Sequence, residues 1–493
     1  EVRPKALQWL ESAGIQALRT GADREAATQF RRALSIADGQ PAGRVAAWHR
    51  QLARAMFGLG EVEGVAVEAR ACVELVARRL PTSPLSWALQ AGRMTLGRWM
   101  GASTRTLSAD AGELLEGARA AGLLAESAYF LNAPEVMLGS ALLAVDLAER
   151  TPSAAPVSTA YGMLGVVAGM ARLQRTARRY LGRARSLSEA AGDPYQLGVA
   201  WFYTGMYFGC IGDWAASRDA AQRALALTEG LGADMQSGFQ LTLIATNALY
   251  TSEYANTRAW MATVRSRAER AGNVQQLGWA CNVVSVADLH QGLYVDAVAL
   301  SAQGRQIFLC ERDLVSLIIA EGVQCAALAH AGRMDDALQA AARATDLIAT
   351  ARPTTWGQLE GFSGPCEVYA MALAQGVVFD AQARGRFRIA IRGLRLFALT
   401  FPFGRPRLHW VRGQGLLAVG QPRVARRHLL RAIRLAQHFG MPFEELRATR
   451  LLAPLSDGPA QAGLLQRVQS LRVQVEAGAA ALLPTVQPEV QAV

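Results

Sequence analysis

Gly198, Gly238 and Gly278 stand 40 residues apart, and Gly212, Gly292 and Gly332 repeat at 80 and then 40. The text around them recurs as well. Gln196-Leu197-Gly198 returns as Gln276-Leu277-Gly278, and Ala200 returns as Ala280. A fixed period of this size marks a stack of small units, none of which can bury its apolar face alone. The residues between the glycines are chiefly Ala, Leu and Arg, with little of the Val/Ile/Thr alternation of strands. The chain is therefore expected to be all-α, a solenoid of helix pairs. Such stacks are more often surfaces for binding than seats of catalysis.

The first helix pair shows why the helices pack closely. Gly14, Ala17, Gly21, Ala26, Phe30 and Ala33 follow the small, small, turn, small, large, small code of a tetratricopeptide repeat. Small residues let the two helices approach, Phe30 fills the space between neighbouring pairs, and Gly21 permits the turn. The same spacing recurs at Leu52, Ala53, Met56 and Gly60 with Cys72. It returns at Tyr161, Leu164, Gly165 and Ala168 with Ala177, Leu181 and Ala184, and at Trp201, Gly205, Phe208 and Gly212 with Ala224. Gly332, Ala337, Ala341 and Ala344 close another pair, and Gly413, Gly420, Ala425, Leu429 and Ala432 the last. Together they predict tetratricopeptide-like pairs wound into a right-handed superhelix.

Turn chemistry divides the chain. Ala191-Gly192-Asp193-Pro194, Ala271-Gly272-Asn273 and Gly440-Met441-Pro442 are helix stops. The expected organisation is N-terminal repeats over 1–80, an irregular joint and repeat over 81–157, and central repeats of about 40-residue period over 158–350. A second joint and Arg-rich repeats follow over 351–455, then a capping helix and flexible tail over 456–493. The joints are read from Pro81 and Pro84, and from Pro353, Gly357, Gly361, Gly364 and Pro365. The chain begins at Glu1 without Met, which reads as a fragment or a processed chain.

Several chemistries lack their residues. A phosphate loop of the Walker type ends in Lys, and Lys5 is the only lysine. The histidines, His49, His290, His330, His409, His428 and His438, form neither HExxH nor a cluster with cysteine, so no zinc site is expected. Cys72, Cys210, Cys281, Cys310, Cys325 and Cys366 are scattered and read as small hydrophobes in a reducing, cytoplasmic setting. Gly361-Phe362-Ser363-Gly364 lacks the glycine spacing of a nucleophile elbow, and Gly413-Gln414-Gly415 lacks the later glycine of a dinucleotide fingerprint. The most apolar run, Leu314 to Ala331, is broken by Glu321 and Gly322, so no membrane insertion is expected. No catalytic residue and no cofactor is assigned.

Two surfaces are candidates for a partner. From Ala383 to Arg450 there are 15 arginines against Glu444 and Glu445, a balance of +13 in a chain whose total is +11. Arg423, Arg426, Arg427, Arg431 and Arg434 recur at helical steps along one face. Of these, Arg423, Arg427, Arg431 and Arg434 are assigned to a partner. An acidic protein surface is one reading of this stripe, and a merely solvated face is another. Arg-dependent nucleic-acid binding, with Trp410 and Phe403 stacking bases, is the rival, although no nucleic-acid motif accompanies it. The second surface is the concave face lined by the first helix of each pair. In that register Phe202, Met206, Gln240, Asn247, Tyr250, Trp279, Asn282, Arg407, Trp410 and Gln414 point inward. Their mixture of aromatic, amide and Arg side chains suits an extended peptide. Phe202, Met206 and Trp279 equally suit core packing between repeats.

Particular stretches resemble a known family. Tyr129-Phe130-Leu131-Asn132-Ala133-Pro134 with Ala141 to Arg150, and Arg352-Pro353-Thr354 through Glu360-Gly361, are two of them. Glu367-Val368-Tyr369, Phe401-Pro402-Phe403-Gly404-Arg405-Pro406 and Gly440-Met441-Pro442-Phe443-Glu444-Glu445 are the others. They are similar to the C-terminal tetratricopeptide region of bacterial multidomain signalling proteins. Those proteins join a nucleotide cyclase or Ser/Thr kinase head to a STAND-type ATPase and a helical-repeat arm. The resemblance runs from about Ala13 to Leu452. It implies an ATPase and a head domain upstream of Glu1, with this chain as the regulatory arm that senses a partner or holds the ATPase inactive.

Overall fold

The computed structural model describes residues 2–77, 79–99, 110–151, 154–231 and 234–477. Every regular element in them is helical. The first pairs are α1 (Val2–Arg19) with α2 (Asp23–Ser35) and α3 (Ala42–Leu59) with α4 (Val62–Val76), followed by a single helix, α5 (Pro84–Trp99). Next come α6 (Ala111–Phe130) with α7 (Pro134–Ala148), α8 (Ala154–Met170) with α9 (Gln174–Ala191), and α10 (Pro194–Ile211) with α11 (Trp214–Thr228). The centre holds α12 (Asp234–Tyr250) with α13 (Tyr254–Ala271), α14 (Val274–Gln291) with α15 (Tyr294–Glu311), and α16 (Leu314–His330) with α17 (Met334–Ile348). The last part holds α18 (Leu359–Ala374) with α19 (Ala381–Thr400), α20 (Arg405–Ala418) with α21 (Pro422–His438), and α22 (Pro442–Leu452) with α23 (Gly458–Ala477). The chain is an all-α helical-repeat solenoid.

The period read from glycine is the period of the helices. The inner helices α10, α12, α14 and α16 begin at Pro194, Asp234, Val274 and Leu314, 40 residues apart. Three of these starts are capped in the same way: Asp193, Asn273 and Asp313 accept the amides of Gln196, Gln276 and Ser316. The two glycine sets do different work. Gly198, Gly238 and Gly278 lie inside inner helices against Thr228, Gln276 and Phe308, where any Cβ would collide. Gly212 stands at φ +79° just past the end of α10, and Gly292 and Gly332 sit in the same left-handed region.

The stretch from Arg352 to Gly376, expected as a joint, contains extended residues at 352–355, a 3-10 turn at Trp356–Gln358, and then α18. α18 is buried along almost its whole length. Its Gly364 meets Gly322 of α16 so closely that a Cβ would lie 2.1 Å from the Gly322 carbonyl oxygen. The glycines read as joint signals are thus a crossing of two inner helices at backbone distance. In the other expected joint α5 packs against α7, and residues 100–109 lie outside the described part. The tail expected after about Leu483 lies outside it too.

Successive turns of the superhelix touch. The Asn273 side-chain amide donates to the Gly58 carbonyl at 2.7 Å, across 215 residues. Asn132 donates to the Arg352 carbonyl and accepts from the Arg352 amide, each at 2.8 Å, across 220 residues. Trp214 Nε1 donates to the Phe439 carbonyl at 2.7 Å, across 225 residues. The concave face is therefore partly covered by the chain itself.

Candidate functional site

The inner helices leave a cavity of about 190 Å³ on the concave side, lined from α6, α7, α8, α10, α12, α14, α16 and residues 354–357. The 40-residue register sets its walls. Phe202, Thr242 and Asn282 occupy one position on successive inner helices, and Met206, Thr246 and Val286 the position one turn on. Phe239, Trp279 and Ile319 form a third row. Phe130, Phe239 and Trp279 pack ring against ring, with centroids 5.1 to 6.3 Å apart. Met137, Met163, Met170 and Met206 supply unbranched, adaptable surface around them. At the rim Glu126 accepts the Tyr203 hydroxyl at 2.8 Å. Burial pushes the Glu126 carboxyl up to about 7, against the pull of Tyr203 and Arg54.

A second constellation fills the interior of the later repeats. Arg407 of α20 is 2% exposed. Its guanidinium donates to Glu444 of α22 at 2.9 Å, to the Ser363 hydroxyl at 2.8 Å and to Glu360 at 3.3 Å, both of the latter on α18. Burial alone would lower the Arg407 pKa, but Glu444, Glu360 and Glu367 raise it further than burial lowers it. Glu360 in turn accepts from His290 Nε2 at 3.3 Å, so His290 Nδ1 is left to accept the Tyr254 hydroxyl. Burial keeps His290 below its ordinary value, hence neutral, with Phe443 stacked 3.8 Å from its ring. Beside this knot Glu367 is bound by His330 and Arg447. Burial would raise its carboxyl, but Arg447 and His330 outweigh burial and hold it well below the carboxylate range. Arg447 also lies over the Trp410 ring at 3.6 Å.

The residues expected on the concave face part into three groups. Phe202, Met206, Tyr250, Trp279 and Asn282 line the cavity. Gln240 and Asn247 are fully buried and tie helices together: Gln240 accepts the Thr228 hydroxyl, and Asn247 donates to Ser217. Arg407 and Trp410 are consumed by the acid–base knot, and Gln414 is half-buried on the same helix. Arg423, Arg427, Arg431 and Arg434 are all exposed on α21, opposite its buried face of Ala425, Leu429, Ala432 and Ala436. Sequence reasoning missed Phe239, Thr242, Thr246, Val286 and Ile319. The 40-residue register carries each of them from a residue already assigned. It also missed Glu360 and Glu367, whose signal is an acid in the otherwise apolar α18, and Glu444, which α22 buries although that helix is rich in charge.

Among the described residues no three His, Cys, Asp or Glu converge as metal ligands, and no helix is long and apolar enough to cross a membrane. Five of the six cysteines are buried thiols, with Cys310 exposed.

No protein-family model matches the chain, and no curated protein matches it. Solved helical structures do. A Rap protein complexed with competence and sporulation factor is 11% identical over 88% of this chain and 99% of its own, with a TM-score of 0.48. The Cut9–Hcn1 hetero-tetramer of the APC/C is 13% identical over 97% and 94%, with a TM-score of 0.38. A circular tandem repeat protein of novel topology is 14% identical over 96% and 90%, with a TM-score of 0.14. The fold assignment rests on the helix pairing itself.

Proposed function

We propose that this chain is a non-catalytic protein-interaction module that takes a peptide segment against its concave face. We infer further that it is the regulatory arm of a larger ATPase-containing signalling protein. The observation that carries the first reading is the cavity. Four methionines and a cluster of aromatic rings face a space into which an apolar peptide side chain fits. The arm role draws on the family resemblance and on the missing phosphate-loop lysine, which leaves ATP chemistry to another part of such a protein. The nucleic-acid rival loses its stacking platform, because Trp410 and Phe403 are buried.

Selection from a random peptide library on the purified chain tests the reading. Peptides with a bulky apolar anchor should be enriched. Met206→Arg and Phe239→Ala should each cut their binding by about tenfold or more while the helical circular dichroism persists. Absence of enrichment on the unaltered chain, or equal binding by both variants, overturns it.

A further inference from the structure

The outer helices α19 and α21 carry matching stripes of arginine. Arg384, Arg388, Arg392 and Arg395 recur along one exposed face of α19, with Leu399, 51% exposed, in the same stripe. Arg423, Arg426, Arg427, Arg431 and Arg434 do so on α21, with Leu430, 37% exposed, in their midst. Half-buried Arg405, His409 and Arg412 of α20 lie between. Arg395 is near enough to Arg412 to lower its pKa after burial has done so. None of the arginines just named has an ion pair with an acid among the described residues. Arg386, turned away on α19, takes Asp346.

At the seam His409 Nδ1 stands 2.9 Å from His428 Nδ1. One nitrogen donates and the other accepts, so the pair is not doubly charged. The groups that bear on it are Arg405 and Arg412 of α20 and Arg431 of α21, with Arg395 of α19 behind Arg412. No carboxylate is among them. Burial first, then His428, Arg431, Arg412 and Arg405, push His409 down to about 4.

We propose that this face docks an acidic amphipathic helix of a protein partner, and that the His409–His428 pair couples docking to proton uptake. Two like-charged stripes without counter-charges cost a fold stability, so a partner that supplies the carboxylates answers them. Arg forks suit carboxylates bidentately. The stripe from Arg423 to Arg434 is about 16 Å long at 1.5 Å per residue, some three helical turns. Leu399 and Leu430 match the apolar side of such a helix and have no task against a phosphate backbone. When carboxylates arrive, they offset the positive field at the histidine pair and favour one more proton. Docking therefore strengthens as pH falls through the histidine range. This inference is independent of the concave-face reading, and its failure leaves that reading intact.

The test is fluorescence anisotropy of the full chain with three labelled probes: an amphipathic peptide of Glu, Leu and Ala about 20 residues long, polyglutamate of equal charge, and random duplex DNA. At about 150 mM salt the amphipathic peptide should bind about tenfold tighter than either other probe. Arg427→Glu/Arg431→Glu/Arg434→Glu should weaken it about tenfold or more with the circular dichroism unchanged, and Arg388→Glu/Arg392→Glu should do likewise. Lowering the pH from about 7.5 to about 6 should tighten binding about threefold or more. His409→Gln/His428→Gln should remove that gain and leave binding at the higher pH. Preference for DNA, equal binding of polyglutamate, or indifference to charge reversal overturns the acidic-helix assignment. A pH gain that survives in the histidine variant overturns the proton coupling and points to exposed His438 instead.

Discussion

Arg407→Met is expected to loosen the later repeats in a way that depends on pH. The side chain is 2% exposed and is, among the described residues, the only cationic partner of buried Glu444, while Glu360 would keep neutral His290. Removing one partner of a buried pair typically costs about 3–5 kcal/mol, because the other charge is stranded. A second route gives a similar ceiling. A stranded carboxyl can escape by taking a proton, which at pH 7 costs about 3.7 kcal/mol for an ordinary glutamate. At pH 5 that escape costs only about 1 kcal/mol. The variant should therefore lose about 3–4 kcal/mol at neutral pH and about 1–2 kcal/mol at pH 5. Arg407→Met/Glu444→Met removes both charges and should recover most of the loss. Repeat arrays do not unfold in one step, so a global midpoint is a poor measure. Native-state hydrogen exchange of the amides of α18, α20 and α22 reads the local stability directly. A loss below about 1 kcal/mol, or one equal at both pH values, would refute the account of the knot as a stranded-charge problem.

Three further outcomes follow from single residues. Glu126 has its carboxyl raised to about 7 in the fold, so its contribution to stability is full below the ordinary glutamate value and is lost as pH rises through about 7. Glu126→Gln should flatten the pH dependence of local stability between pH 5 and 8, read by hydrogen exchange of the α6 and α10 amides, and stabilise them by about 1–3 kcal/mol at the alkaline end; an unchanged slope would contradict the cause assigned. Gly364→Ala should cost about 2–4 kcal/mol by thermal or urea unfolding, because its methyl would lie 2.1 Å from the Gly322 oxygen; a neutral result would mean α16 and α18 are not in backbone contact. Gly212→Val should cost more than about 1 kcal/mol, since φ is +79° and Phe439 lies 2.9 Å from the position of the added Cβ. Unchanged native-state hydrogen exchange of the α10 and α11 amides there would break the helix register.

The helices were legible because local rules make them. Gly212, Gly292 and Gly332 end helices where the chain must turn left-handed, and the small residues of the code lie where inner and outer helices touch. The cavity was half legible, since an inward position on one helix predicts the same position 40 residues on. What lay beyond reach depends on how far each pair rotates against the last. Asn132 meets Arg352, and Trp214 meets Phe439, only once those rotations have added up. Arg407 was legible as inward-facing but not as occupied, because its acids come from the neighbouring helices α18 and α22, whose inward register was not assigned. Several stretches that carried the family resemblance sit where those sums come due: Asn132 with Arg352 and Thr354, and Phe403 against Trp214.

The contacts between successive turns recur at 215, 220 and 225 residues. An open solenoid can gain or lose a unit and remain a solenoid, as a screw stays a screw when it is cut. Here a helix pair added between Trp214 and Asn273 would carry Asn273 away from Gly58, Arg352 away from Asn132 and Phe439 away from Trp214 together. The spacing between those three contacts is thereby fixed, as the pitch of a spring is fixed once its coils are welded. Variation in this molecule is confined along the length that these contacts span.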